Sequence, residues 1–148
     1  MNKSNSVPRM FDILLVEDSE DDAVLTEYAF RGVPIEYKLH VVGDGMEALA
    51  FLRKVAPHGD APRPDMILLD LNMPRMDGRE LLNELKRDES LKSIPAVVLT
   101  TSSAKSDVLN AYRSQATAYM TKPFGLDVYS RNIRTFVEFW FTETVRLP

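Results

Sequence analysis

The chain has no cysteine, which excludes disulfide bonds, thiolate catalysis and thiolate metal sites together. It has two histidines, His40 on an alternating stretch and His58 in a proline-rich loop. Neither has a partner at ligand spacing, so both read as ordinary exposed or half-exposed side chains. Long apolar runs are missing too: no stretch approaches the roughly 20 residues of a membrane span, and Met1 to Met10 has no hydrophobic signal core. The expectation is a cytoplasmic protein with no membrane partner. The 18 basic residues are scattered rather than gathered into a stripe, and the net charge is −4 with a pI near 5.2. That distribution argues against nucleic acid and for a protein or a small ion as partner. At 148 residues with 45% hydrophobic content, the chain can build one domain with a genuine core, with no room for a separate DNA-binding module.

What is present is organised around Met66-Ile67-Leu68-Leu69-Asp70-Leu71-Asn72-Met73-Pro74. An apolar run bounded by Pro64-Asp65 and Asn72-Met73-Pro74 reads as a strand buried on both faces, as in a parallel sheet. Asp70 then stands at its carboxyl end, where open α/β sheets bind ligands; the plainer alternative is an Asp that caps the turn. Ile13 to Val16 is a similar run ending on Glu17-Asp18. A helix follows, with Ser19 and Asp22 resembling a capping box, an apolar face of Ala23-Val24-Leu25 with Tyr28-Ala29, and Gly32 and Pro34 as stops. Tyr37 to Val42 reads as a further strand. Gly43-Asp44-Gly45 then turns into a helix carrying Met46, Leu49, Ala50 and Leu52 that ends near Pro57. Asp77-Gly78 opens a helix with Leu81, Leu82 and Leu85, broken at Ile94-Pro95. Ala96 to Leu99 is a fourth strand ending on Thr100, followed by a helix through Val108, Ala111 and Tyr112. A weaker strand at Ala118 to Met120 leads to Lys122-Pro123, and the last helix begins near Gly125-Leu126.

Short buried strands alternating with helices predict an α/β fold: a five-stranded parallel sheet with helices on both faces. All strand ends in such a sheet emerge on one edge, so Glu17, Asp18, Asp70, Thr100 and Lys122 converge there. Three carboxylates at close range repel one another unless a hard cation neutralises them, and an all-oxygen site suits Mg2+ better than Zn2+. Asp70 is the candidate nucleophile, because a carboxylate can accept a phosphoryl group as an acyl phosphate. Lys122 adds positive charge and Thr100 a hydroxyl hydrogen bond to the transferred group, which is catalysis by positioning and electrostatics.

These residues resemble the receiver domain of two-component response regulators, the family of the chemotaxis protein CheY. The resemblance is carried by Glu17-Asp18, Asp70 in Leu-Leu-Asp-Leu-Asn-Met-Pro-Arg-Met-Asp-Gly, Thr100 after Val-Val-Leu, and Lys122-Pro123-Phe124. It implies a (βα)5 flavodoxin-like fold, with residues 1–10 as a flexible lead, 11–141 as the receiver domain and 142–148 as a C-terminal extension. It implies a phosphoacceptor signalling protein rather than an enzyme, phosphorylated on Asp70 by a partner histidine kinase, with a histidine phosphotransfer protein as a second candidate partner. By the same resemblance Asp18 and Asp70 ligate one Mg2+ directly, Glu17 does so through water, and Asn72 contributes its backbone carbonyl. A cis peptide is implied at Lys122-Pro123. Thr100 and Tyr119 occupy the switch positions, coupling phosphorylation to the face made by the helix after the fourth strand, the fifth strand and the last helix. The proline-rich loop, Leu99 to Ser102 and Phe139-Trp140-Phe141 are similar to stand-alone regulators paired with bacterial phytochromes.

In the last helix, Leu126, Ile133, Val137 and Trp140 form a stripe that can dock on the sheet. Val128, Phe136 and Phe139 fall on another side, and Phe141, Val145 and Leu147 extend the apolar surplus. This side is a candidate homodimer face, the alternative being a flap folded onto the same monomer. Two further readings compete with the receiver. An aspartate-nucleophile phosphatase has a second acid two residues after its nucleophile, where this chain has Asn72. Gly43-Asp44-Gly45-Met46-Glu47-Ala48 fits a weak dinucleotide fingerprint, but its place in the second strand-to-helix turn favours a tight helix-initiating turn.

Overall fold

The structure, a computed structural model, describes residues 10–70, 76–100, 116–121 and 125–143. Its elements are β1 (Met10–Val16), α1 (Glu20–Ala29), β2 (Glu36–Val42), α2 (Gly45–Leu52), β3 (Met66–Leu69), α3 (Gly78–Arg87), β4 (Ala96–Thr100), β5 (Ala118–Thr121) and α4 (Leu126–Val137), which runs into a π-helical segment, Glu138–Glu143. The helix expected through Val108, Ala111 and Tyr112, the Lys122-Pro123 peptide and the tail beyond 143 lie outside the described residues.

The strands form one parallel sheet in the order β2-β1-β3-β4-β5. Strict alternation along each central strand feeds two cores. Leu14, Val16, Ile67, Leu69, Ala96 and Val98 pack against α2 and α3 through Leu49, Leu52, Leu81, Leu82 and Leu85. Their neighbours Ile13, Leu15, Met66, Leu68, Val97 and Leu99 pack against α1 and α4 through Ala23, Ala29, Tyr129, Ile133 and Val137. Helices on both faces are why these strands read as unbroken apolar runs rather than alternating ones.

The helix starts follow their capping residues. Ser19 accepts from the Asp22 amide at 3.2 Å, and Asp44 accepts from that of Glu47 at 2.9 Å. Asp77 and Glu80 close a reciprocal capping box at α3. Helix α3 stops at Arg87 rather than at Ile94-Pro95, because Asp88 turns the chain and accepts from both the hydroxyl and the amide of Ser90. Those two bonds, led by the hydroxyl, hold the Asp88 carboxyl below its usual range. Helix α2 ends at Leu52, short of Pro57, and Lys54 just beyond it takes a positive φ of 57°.

The buried face of α1 differs from the expected one. Ala23, Thr26 and Ala29 face the core, whereas Val24 and Tyr28 are exposed. Thr26 fits inside because its hydroxyl lies 2.9 Å from that of Tyr129 on α4, which satisfies two buried polar groups at once. A hydropathy pattern does not register a threonine paired in this way. Tyr129 is likewise fully buried, its hydroxyl satisfied by Thr26, on the stripe that its spacing to Ile133 and Val137 marks.

Candidate phosphoacceptor and cation site

The site lies where the strand order reverses, at the carboxyl ends of β1 and β3. In open α/β sheets the connections part there and leave a crevice. Val16 pairs with Leu69 and with Val42, so the residues that follow β1 and β3 leave the sheet at one level. Two backbone bonds continue the ladder past the strands: Asp70 N–H donates to Val16 O at 3.1 Å, and Glu17 N–H donates to Val42 O at 2.9 Å. The register alone therefore brings Glu17-Asp18 beside Asp70.

One carboxylate oxygen from each of Glu17, Asp18 and Asp70 lies within 4.8 Å of the others. Glu17 is only 4% exposed, and its carboxylate accepts from the Ser19 amide at 3.4 Å. Asp70 is half-buried and Asp18 exposed, so the cup is closed at its base and open to solvent at its rim. At an effective dielectric of about 20, two ionised carboxylates 4.8 Å apart repel by roughly 3 kcal/mol. An all-oxygen anionic donor set that converges in this way fits a hard divalent ion.

The other expected site residues divide by position. Thr100 closes β4 and pairs with Thr121 on β5, which puts its backbone on the same sheet edge. Tyr119 on β5 pairs with Val98 and packs, partly buried, against the core on the α2 and α3 side. Lys122 and Asn72 lie outside the described residues. Of the candidate dimer face, Val128 and Phe139 are 40% and 57% exposed. Phe136 and Phe141 instead pack on the chain's own core, with Phe141 tilted against Phe11 at a centroid distance of 4.5 Å.

Two residues read as unpartnered have partners that only the fold supplies. His40 Nε2 lies 2.9 Å from Asp12 Oδ1 on the adjacent strand, and His58 Nε2 lies 3.5 Å from Glu47 Oε2. Gly43-Asp44-Gly45 is a tight helix-initiating turn, as expected, with Asp44 as the cap of α2.

The site and the sheet order define a receiver, and the chain belongs to the response regulator receiver domain family, whose model matches residues 13–134. It is a response regulator receiver domain of two-component signalling. Over 148 residues it is 40% identical to the response regulator Rcp1 of Synechocystis sp., covering 100% of this chain and 99% of that one. The phosphorylated cyanobacterial phytochrome response regulator RcpA superposes with a TM-score of 0.86 at 39% identity, over 93% of this chain and 98% of that one. The Mn2+-bound form of Rcp1 gives 0.82 at 41% identity, over 93% and 99%. No helix among the described residues is long and apolar enough to cross a membrane.

Proposed function

We propose that this protein is a cytoplasmic response regulator that accepts a phosphoryl group on Asp70 from a histidine kinase of the phytochrome type. The observation that carries this reading is the convergence of the Glu17, Asp18 and Asp70 carboxylates within 4.8 Å at the switch point of the sheet. In the transfer, an Asp70 carboxylate oxygen bonds to phosphorus as the bond from phosphorus to the donor imidazole nitrogen breaks, and its electron pair stays on the imidazole. A divalent cation, Mg2+ in our reading, would supply positive charge that offsets the carboxylates and the incoming phosphoryl oxygens. Asp18 and Asp70 would hold that cation directly and Glu17 through water, with the Asn72 carbonyl as a further ligand. Lys122 adds a second positive charge, and Thr100 hydrogen-bonds the group once it is transferred. Tyr119, opposite Val98 and two residues back from Thr100 in the β4–β5 ladder, then carries the change to a protein-binding face.

Support for the kinase class comes from the phytochrome response regulators that this chain resembles over nearly all its length. The test is intact-mass labelling with acetyl phosphate. One phosphoryl group per chain is expected, released by hydroxylamine and lost when the divalent cation is chelated. Sustained turnover of phosphate esters without a labelled chain would point instead to the phosphatase class.

We assign Val128 and Phe139 to a homodimer contact. They stand 11 residues apart on α4 and its continuation, close to three full turns, so they lie on one face. Phe136 and Phe141 support that face from behind by tying the segment to its own core. Light scattering at high micromolar concentration is expected to give a dimer mass, and Phe139→Ser a monomer. A monomer mass for the unaltered protein disposes of the contact.

A further inference from the structure

Glu17 is the most buried acid of the cup, and one peptide group ties its main chain to β2. Its N–H donates at 2.9 Å to the carbonyl of Val42, the last residue of that edge strand. The same peptide plane carries the N–H of Gly43, and in a trans peptide the two groups point in opposite directions. The Gly43 N–H therefore faces away from β1, on the side of β2 where no strand follows. It donates instead to Glu47 Oε1 at 2.8 Å. One hydrogen-bonded line thus runs from the Glu47 carboxylate, through the Val42–Gly43 peptide, to the Glu17 amide.

Helix capping alone would aim Glu47 elsewhere. Asp44 caps α2 and Glu47 stands three residues on, the position from which a capping box reaches back to the amide of the cap itself. Helix α3 does that, with Glu80 accepting from Asp77 N–H at 3.4 Å. Glu47 reaches one residue further back, past Asp44 to Gly43, and at a shorter distance. Its other oxygen, Oε2, lies 3.5 Å from His58 Nε2 in the loop after α2, which steadies the carboxylate from a second side. A carboxylate on a peptide N–H makes a charge-assisted bond and polarises the peptide, so that its carbonyl becomes a stronger acceptor. Glu17, at 4% exposure and with its carboxylate accepting from the Ser19 amide, has little freedom of its own. A shift of its amide moves the carboxylate with it.

We propose that Glu47 is a positioning residue for the acidic cup: through the Val42–Gly43 peptide it fixes Glu17 beside Asp18 and Asp70. The proposal rests on the reading of the cup as a cation and phosphoryl site. Losing a group that orients metal ligands from behind costs roughly 10–100-fold in affinity, so Glu47→Ala is expected to weaken Mn2+ binding, read by titration calorimetry, by about tenfold. Glu47→Gln keeps an oxygen that accepts from Gly43 N–H and loses only a charge that is 41% exposed and screened, so its affinity stays within about twofold. Equal weakening in both variants would make Glu47 a remote charge and overturns the proposal. So does unchanged Mn2+ affinity in folded Glu47→Ala, because a mere loss of helix capping lowers the melting temperature and leaves the affinity of the folded protein where it was. Coupling of this kind is reciprocal. Exchange of the Gly43 amide in the unaltered protein is therefore expected to slow by about the same factor when Mg2+ saturates the site, which gives the answer if Glu47→Ala does not fold. An amide indifferent to Mg2+ overturns the proposal. An unaltered protein that takes up neither divalent ion nor a phosphoryl group overturns the site reading beneath it.

Discussion

Asp70→Asn is expected to take up no phosphoryl group from acetyl phosphate or from a phosphorylated kinase, and at the same time to raise the melting temperature measured in chelator. Both effects follow from one change of charge at nearly constant shape. An amide oxygen does not form a stable acyl phosphate, so labelling disappears rather than slows. In the absence of cation, three carboxylates with oxygens within 4.8 Å of one another repel, and neutralising Asp70 removes two of the three pairwise repulsions. Each pair amounts to roughly 3 kcal/mol before screening; Asp18 is exposed and salt reduces its share, so a net gain of about 1–2 kcal/mol is expected. For a chain of this size that is a rise of about 3–6 °C. Divalent ion inverts the comparison. A ligand that binds only the folded state stabilises it in proportion to the logarithm of its concentration over Kd, so the unaltered protein gains more from millimolar Mg2+ than Asp70→Asn does. Paired melting curves in chelator and in Mg2+ give the result. Labelling that survives in Asp70→Asn would place the acceptor elsewhere.

Ile67→Ala is expected to cost about 3–4 kcal/mol, the range for emptying a core site that cannot collapse, and to lower the melting temperature by about 10 °C. Ile67 has no exposed surface, lies in β3 between β1 and β4, and packs among Leu14, Leu82 and Val98. Sheet partners on both sides leave little freedom for neighbours to fill the gap. Val24→Ala is the informative control. The sequence pattern puts Val24 on the buried face of α1, but its side chain is exposed, so a change within about 0.5 kcal/mol is expected. Urea unfolding of the two variants decides the matter, and equal losses would contradict the placement of α1.

The central strands and the acidic ends of two of them were legible in the sequence because a parallel sheet covered on both faces imposes uninterrupted apolar runs. Ile13 to Val16 and Met66 to Leu69 carry that signature, and Glu17-Asp18 and Asp70 end it abruptly. Helix starts at Ser19, Asp44 and Asp77 were legible for a local reason: a cap accepts from an amide a few residues ahead. Less was legible wherever a residue's partner is distant along the chain. The Thr26–Tyr129 bond spans 103 residues and the His40–Asp12 contact spans 28. Thr26 and Tyr129 are polar side chains that hydropathy puts at the surface and pairing puts inside.

By itself, the order of residues determined the parallel sheet, the acids at its carboxyl edge and the absence of thiol chemistry, since each follows from composition or from periodicity within a few residues. The tertiary structure alone decided which face of α1 is buried, that Phe136 and Phe141 turn back onto their own core while Phe139 does not, and that the Glu17 amide meets the Val42 carbonyl. The reason is range. Periodicity and capping act over a turn of helix or a strand, whereas these contacts depend on how strands β1, β2 and β3 are ordered and registered against one another, which no local run of residues encodes.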